Sequence, residues 1–338
     1  MKKILSLALV AVMLLSLVAL TSCGEDPTPD EPTTLKFGLG VAYSVSDVKN
    51  ATDEANGSAS VSTTAAVVLV DDAGKIVKCA IDTTYQGQPA WDTTGTFIVP
   101  TDFATKYELG FDYHMVAYGG GQVTKEWFEQ VDGFCSAVVG KTVAEVKAMV
   151  AENGYPNSGS DIVTAGCTIG VADFVVALEK AVNNAAASNA TADSTLKLGI
   201  ATSTDKVKNA TAEADGSMEL NSTIVATALD ASGKIVVAKT DCTQSKVTVT
   251  AAGECTSNSI KSKYELGADY NMVAYGHAAK EWFEQADAFS AQLIGKTAAE
   301  IAGLVVADTG KGNDAVIAAG CTIVVTDMVK AAVKAATV

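Results

Sequence analysis

The 338-residue chain contains no arginine, so all of its 24 basic residues are lysines. They are outnumbered by 39 acidic residues, which leaves a formal net charge of −15. An acidic chain without arginine is poorly suited to nucleic-acid phosphates or to an anionic membrane surface. We therefore expect no nucleic-acid partner, and contact with a membrane only through an attached anchor.

Conventional catalytic and metal-binding patterns are also missing. The chain has two histidines, at non-equivalent positions, and no CxxC pair or Cys/His cluster of the kind that zinc sites need. It has no GxSxG, P-loop or Rossmann glycine fingerprint either. The sequence thus predicts no catalytic residue and no metal ligand, and it argues against an enzyme with its own substrate site.

The N-terminus has the pattern of an export signal. Lys2 and Lys3 precede an apolar run over residues 4–20, which ends in the sequence LTSC at 20–23. This ending matches the lipobox of bacterial lipoproteins, in which the cysteine is diacylated. We predict a lipoprotein signal peptide at residues 1–22 and lipidation of Cys23. The alternative is an uncleaved membrane helix, for which about 17 apolar residues is a borderline length.

The segment that follows, GEDPTPDEPTT, is acidic and rich in proline and threonine. It has no aliphatic residue to bury, so it is typical of a solvated, semi-extended chain. We predict an acidic tether at residues 23–34, which holds a folded part away from the bilayer. The expected location is the extracellular face of the cell membrane.

Most of the remaining chain is a tandem duplication. LKFGL at 35–39 returns as LKLGI at 196–200, and KEWFEQ at 125–130 returns unchanged at 280–285. Such self-similarity indicates two copies of one structural unit. We predict homologous domains at residues 35–183 and 196–338, each of ordinary domain size, with a linker at 184–195.

Within each copy, strand patterns come first and helical patterns follow. β-Branched runs flank a turn signal at residues 60–81 and again at 222–240, which predicts two β-hairpins. Residues 47–57 indicate a short helix or a loop, and apolar residues recur at helical spacing after residue 105. The predicted fold is α+β, with a mainly antiparallel sheet packed against helices in each copy.

An aromatic cluster recurs in both copies. Although aromatic residues make up only 6% of the chain, each copy concentrates them in one window. The pairs of interest are Tyr113 and Tyr270, Tyr118 and Tyr275, and Trp127 and Trp282. These side chains either form the core of the helical layer or stack on a planar ligand. The pattern leaves both interpretations open.

The segment AGCT occurs once in each copy, ending at Thr168 and at Thr322. In both, a helix-like apolar segment follows, so each threonine is expected directly before a helix, where a phosphate would be stabilised. Gly166 and Gly320 allow the backbone to approach an attached group closely. The alternative is a plain turn in which the threonine caps the helix.

These segments resemble the flavinylation motif of FMN-binding domains, such as those of the sodium-pumping NADH:quinone oxidoreductase C subunit. The whole chain resembles more closely the two-domain flavin lipoproteins of Gram-positive extracellular electron transfer, of the pheromone-encoding type. The resemblance covers the lipobox, the tether, both repeats and both motifs. It implies that a flavin transferase attaches FMN to Thr168 and Thr322 as a phosphoester. Together with the glycines, cysteines and aromatic residues of the two windows, this gives as further predicted cofactor-binding positions Gly166, Cys167, Gly320, Cys321, Tyr113, Tyr118, Trp127, Tyr270, Tyr275 and Trp282.

The sequence departs from that motif in two ways. Cys167 and Cys321 replace the usual alanine before the threonine. The upstream aspartates, Asp161 and Asp314, lie one and two residues further from the threonine than the motif has them. Because Cys167 and Cys321 are equivalent, we expect them in separate domains rather than paired. A disulfide between Cys242 and Cys255 is left open.

The function that the resemblance implies is electron transport. Electrons would pass from membrane quinol-oxidising proteins, through two FMN groups, to ferric iron or soluble flavin outside the cell. The alternative is a non-redox surface lipoprotein whose repeats bind a peptide or a glycan. The resemblance also implies a pheromone derived from the signal peptide, at residues 15–22.

Overall fold

The computed structural model describes residues 33–121, 123–256 and 260–337. The predicted signal peptide with its pheromone segment, Cys23 and nearly all of the predicted tether lie outside these residues. Among the described residues, no helix combines the length and the apolar character needed to cross a membrane.

Up to residue 187 the strands are β1 (Lys36–Lys49), β2 (Gly57–Val70), β3 (Ile76–Thr83), β4 (Ala90–Trp91), β5 (Phe97–Ile98) and β6 (Ala186–Ala187). The helices of this part are α1 (Lys106–Leu109), α2 (Met115–Tyr118), α3 (Trp127–Val138), α4 (Val143–Ala148), α5 (Asp161–Thr164) and α6 (Ala172–Asn183), with a 3₁₀ helix at Gly110–Tyr113. The second part has strands β7 (Thr195–Lys208), β8 (Gly216–Leu229) and β9 (Ile235–Val249). Its helices are α7 (Lys263–Leu266), α8 (Met272–Gly276), α9 (Trp282–Ala291), α10 (Ala298–Ala302), α11 (Asp314–Ala318) and α12 (Thr326–Ala335), with a 3₁₀ helix at Gly267–Tyr270.

The strands form one six-stranded and one three-stranded sheet, and all their pairings are antiparallel. The α+β prediction is confirmed. Both predicted hairpins are present, as β2–β3 and β8–β9, and β9 continues to Val249. Residues 47–57, expected as a short helix or a loop, contain no helix, because β1 runs on to Lys49 and a loop follows.

Each central strand is buried on both faces. On β2, Val68 and Val70 face the helices of their own repeat, in a cluster with Trp127. Val67 faces the opposite way and packs with Ile224 of the second repeat. A strand covered on both sides needs apolar residues without alternation, which explains the continuous run over residues 65–70.

The two repeats form one compact unit spanning residues 34–338. Two apolar clusters contain side chains of both repeats. A hydrogen bond of 2.8 Å between the hydroxyls of Thr63 and Thr243 also links the first repeat to the second. The segment predicted as a linker, 184–195, lies along the first sheet, where β6 pairs with β1 and Ala190 is fully buried.

Glycines in the first strand of each repeat bring its last helix close to the sheet. A Cβ atom at Gly38 would collide with the carbonyl oxygen of Ala181 in α6, and one at Gly199 with that of Ala331 in α12. Because neither glycine has a side chain, both helices pack directly on the strand backbone. This contact fixes where the loop before each helix lies, and that loop carries the AGCT threonine.

Candidate functional site

The AGCT segment forms a loop between two helices. In the first repeat, α5 ends at Thr164 and α6 begins at Ala172, with Val171 as its N-cap. Thr168 lies between them and is exposed. The expectation that this threonine directly precedes a helix is wrong, and so is the alternative that it caps one. In the second repeat, α12 likewise begins four residues after Thr322, with Val325 as its N-cap.

The backbone conformation of this loop favours glycine. Gly166 and Gly320 have φ angles of +96° and +104°, which other residues rarely adopt. A Cβ at Gly166 would also collide with the ammonium group of Lys125, and one at Gly320 with that of Lys280. Each loop therefore has a lysine cation directly over its glycine. The Lys125 ammonium also donates a hydrogen bond to the carbonyl oxygen of Ala165, at 3.4 Å.

A buried glutamine holds each threonine. The side-chain oxygen of Gln130 accepts hydrogen bonds from the Thr168 backbone N–H at 2.9 Å and from its hydroxyl at 3.2 Å. The Gln130 amide nitrogen donates to Met115 Sδ and to the Lys125 carbonyl oxygen, which orients the amide. Gln130 is only 1% exposed. Its amide is therefore committed to positioning the threonine.

The second repeat repeats this arrangement. Gln285 accepts from the Thr322 N–H at 2.9 Å and from its hydroxyl at 3.1 Å, and it is also 1% exposed. The sequence prediction did not include either glutamine. Both glutamines end the KEWFEQ segment, which is identical in the two repeats. This identity marks them as candidates, but it does not show which residues they contact.

Cys167 and Cys321 are core residues. Both thiols are fully buried, each in an apolar cluster of its own repeat, and they are not paired with each other. Burial is the main cause that raises the pKa of each thiol to about 11, which leaves little thiolate at neutral pH. The residue before the threonine thus anchors the loop in the core.

The aromatic residues separate into three groups. Trp127 and Trp282 are 2% and 4% exposed and belong to the helical core. Tyr113 and Tyr270 are half-buried, whereas Tyr118 and Tyr275 are each 83% exposed and line none of the clefts described below.

A cleft opens beside the threonine loop in each repeat. In the first repeat it has a volume of about 260 Å³ and is lined by Lys106, Trp127, Asp173 and Gly170, the last lying two residues after Thr168. The Lys106 ammonium lies 5.5 Å from the Trp127 ring centre and 5.3 Å from that of Tyr113, within cation–π range. Burial lowers the pKa of Lys106.

The cleft of the second repeat is built from equivalent residues. It has a volume of about 290 Å³ and is lined by Lys263, Trp282, Asp327 and Val324, among others. Two buried polar atoms among its lining residues have no hydrogen-bond partner, the hydroxyl oxygen of Thr204 and the side-chain oxygen of Asn221. Buried polar groups are normally paired, so these atoms favour a polar ligand in this cleft.

Two buried aspartates lie at the junction of the repeats, and the sequence prediction did not include them. Asp82 and Asp241 are each 7% exposed and line clefts that contain residues of both repeats. Burial raises the pKa of Asp82 to about 7 and that of Asp241 to about 6. Each accepts a backbone hydrogen bond from the first turn of a helix, from Tyr107 and Tyr264 respectively.

The remaining cysteines do not follow the pairing that was left open. Cys242 lies in the core of the second repeat and Cys255 against a separate apolar cluster, and no disulfide joins the two. Cys79 and Cys135, to which the sequence assigned no role, are instead in contact, with their sulfur atoms 3.6 Å apart.

Comparison with known proteins gives no relative: no family model matches the chain, and neither a curated protein nor a solved structure matches it. The resemblance of the AGCT segments to a flavinylation motif therefore rests on the sequence, and the function below is argued from the site.

Proposed function

We propose that Thr168 and Thr322 each carry an FMN group, bound through a phosphoester, and that the chain is a lipid-anchored electron carrier on the extracellular face of the membrane. Electrons pass from membrane quinol-oxidising proteins to extracellular acceptors such as ferric iron or free flavin. The observation that supports this most is a duplicated arrangement of three residues: an exposed threonine, a buried glutamine that accepts a hydrogen bond from its hydroxyl, and a lysine whose ammonium lies over the glycine two residues before the threonine.

The loop suits a phosphate. A phosphodiester on the Thr168 oxygen carries one negative charge, and the ammonium of Lys125 is the nearby cation that stabilises it. Gly166 has no side chain, which leaves room for that ammonium over the loop. The same argument applies to Thr322 with Lys280 and Gly320.

The neighbouring clefts suit a planar, partly polar ring. The first combines Trp127 with the Lys106 ammonium, and the second combines Trp282 with Lys263. The unpaired oxygens of Asn221 and Thr204 match a ring edge that both donates and accepts hydrogen bonds. A bound FMN supplies one- and two-electron transfer, while the chain attaches the ring, orients it and shields it from water.

The threonine acts as a nucleophile only when FMN is attached, during maturation of the protein. The Thr168 oxygen attacks the FMN phosphorus of FAD, AMP leaves, and a base on the flavin transferase takes the hydroxyl proton. Gln130 holds the hydroxyl in place but is an amide, so it does not remove the proton. The base must therefore come from the transferase.

The test is co-expression of the full chain with a flavin transferase, followed by intact mass and visible absorption. We expect the added mass of two FMN groups, with one lost in Thr168→Ala, one in Thr322→Ala and both in the double variant. Thr164→Ala is the matched control, since Thr164 is an exposed threonine on α5 that bonds only the Ser160 carbonyl oxygen. It should leave the added mass unchanged.

Two results would overturn the proposal. One is a colourless chain of unmodified mass, produced beside a transferase that modifies a known acceptor in the same cells. The other is added flavin that remains in the double variant. A colourless chain that bound a peptide or a glycan would support the non-redox alternative.

A further inference from the structure

The thiols of Cys79 and Cys135 meet between the sheet and the main helix of the first repeat. Cys79 lies on β3, opposite Val68 of β2, and Cys135 lies on α3. Their sulfur atoms are 3.6 Å apart, at van der Waals contact, with Cys135 donating its S–H to Cys79. A disulfide has its sulfur atoms about 2.05 Å apart, so its formation requires the two side chains to rotate and close the remaining gap.

Small molecules can reach the pair from the surface. Both cysteines line an open cleft of about 370 Å³, and both also line a neighbouring cleft of about 270 Å³. Cys79 is half-buried and Cys135 is 9% exposed. A reagent in the cleft therefore meets Cys79 first.

The pair belongs to the first repeat alone. The equivalent positions in the second repeat are Ala238 and Ser290. Ser290 makes hydrogen bonds to Thr240 and to the Ala286 carbonyl oxygen. The second repeat thus adopts the same fold without the two thiols, so the fold does not require them.

We propose that Cys79 and Cys135 form a redox-active dithiol that is oxidised by small-molecule disulfides through thiol–disulfide exchange. The Cys79 thiolate attacks one sulfur of the external disulfide, whose S–S bond breaks and releases one thiol. Cys135 then loses its proton to water and attacks the Cys79 sulfur, which releases the second thiol. Two electrons and two protons pass to the external disulfide, and an intramolecular disulfide remains.

The order of the two steps follows from the surroundings of each sulfur. The hydrogen bond to Cys79, together with burial, raises the pKa of the Cys135 thiol well above its ordinary value. Cys135 thus keeps its proton while Cys79 reacts, and it acts second, as the resolving thiol. This proposal does not depend on bound flavin.

The test uses the reduced full chain in detergent and oxidised glutathione as the probe. After incubation, the remaining thiols are alkylated in denaturant and located by peptide mapping. We expect the thiols of Cys79 and Cys135 to be lost together, with a linked pair of peptides that contain these two residues. Cys167, Cys242 and Cys321, which are all buried, should stay alkylatable.

Two variants separate the steps. Cys135→Ser, which introduces the residue found at position 290, should trap glutathione on Cys79. Cys79→Ala, which introduces the residue found at position 238, should leave Cys135 alkylatable. Cys79 is half-buried, so Cys79→Ala is expected to fold even if the other variant does not, and thermal unfolding checks both. The proposal is overturned if glutathione stays on Cys79 in the unmodified chain, or if both thiols of that chain remain alkylatable.

Discussion

The side-chain oxygen of Gln130 accepts both the backbone N–H and the hydroxyl of Thr168, at 2.9 Å and 3.2 Å. The residues are 38 positions apart, one on α3 and the other in the loop before α6. Gln285 and Thr322 repeat the contact in the second repeat at 2.9 Å and 3.1 Å. This paired geometry makes the threonine loops the most specific feature that the two repeats share.

Replacing Gln130 should reduce flavin attachment at Thr168 and leave attachment at Thr322 unchanged. Gln130→Leu keeps the volume but removes the acceptor of two hydrogen bonds, so we expect a loss of about 1–2 kcal/mol in the free energy of unfolding. Urea denaturation measures this. Flavin attachment should fall at Thr168 and stay unchanged at Thr322, the control within the same chain. Equal attachment at both sites, by peptide mass, would contradict the positioning role.

A methyl group at Gly166 should cost mainly backbone strain. Gly140 also has a positive φ, +78°, but a Cβ there would meet open space, so Gly140→Ala measures such strain by itself, about 1 kcal/mol. At Gly166 the Cβ would meet the ammonium of Lys125, which is the far end of a flexible side chain and can move aside, so we expect Gly166→Ala to lose a similar amount of unfolding free energy. Urea denaturation of the two variants measures this. A loss in Gly166→Ala that exceeds the Gly140→Ala value by more than about 1 kcal/mol would contradict a lysine that can move.

The buried carboxyl of Asp82 should make stability depend on pH. Its pKa rises from 3.8 in the unfolded chain to about 7 in the folded one, because burial disfavours the charged form. The folded state therefore holds a proton that the unfolded state has lost. The stabilising contribution is full below pH 4 and is lost as the pH rises through about 7, by an amount on the order of 4 kcal/mol at most.

Asp82→Asn tests this directly. The amide cannot ionise and keeps an oxygen acceptor, so the fall in unfolding free energy between pH 4 and pH 7 should become shallower. Asp112→Asn, at an exposed position, controls for the change in net charge. Unfolding curves that fall equally in Asp82→Asn and in the unchanged chain would contradict the prediction.

Two ion pairs across the junction of the repeats should contribute more than a surface pair. Lys334–Glu108 and Lys180–Glu265 both have nitrogen–oxygen distances of 2.6 Å, and each lysine also donates to a backbone carbonyl oxygen of a first strand. We expect Lys334→Met to cost about 1 kcal/mol of unfolding free energy. Lys36→Met, which breaks a pair with the 98%-exposed Asp72, should cost less than about 0.5 kcal/mol. A double-mutant cycle with Glu108→Gln isolates the coupling, and a value of zero would contradict the prediction.

Local patterns predicted much of the fold correctly. The β-branched runs and the turn at residues 71–74 predicted the β2–β3 hairpin, because strand alternation and turn chemistry depend on neighbours in the sequence. The apolar segment after Thr168 forms α6, as its helical spacing predicts. The spacing did not show that Ile169 packs against the core from a loop, which separates Thr168 from the first turn of that helix.

The sequence by itself determined that the chain contains one α+β unit twice and that each unit presents the same Gly-Cys-Thr segment, because both are properties of residue order. Only the tertiary structure decided that Gln130 holds Thr168, that Cys167 lies in the core and that Cys79 meets Cys135. These contacts join residues far apart in the chain, and they form only when α3 packs on β3 and the last helix settles on the glycines of the first strand. The physical reason is that packing, rather than residue order, sets which distant side chains come within bonding distance.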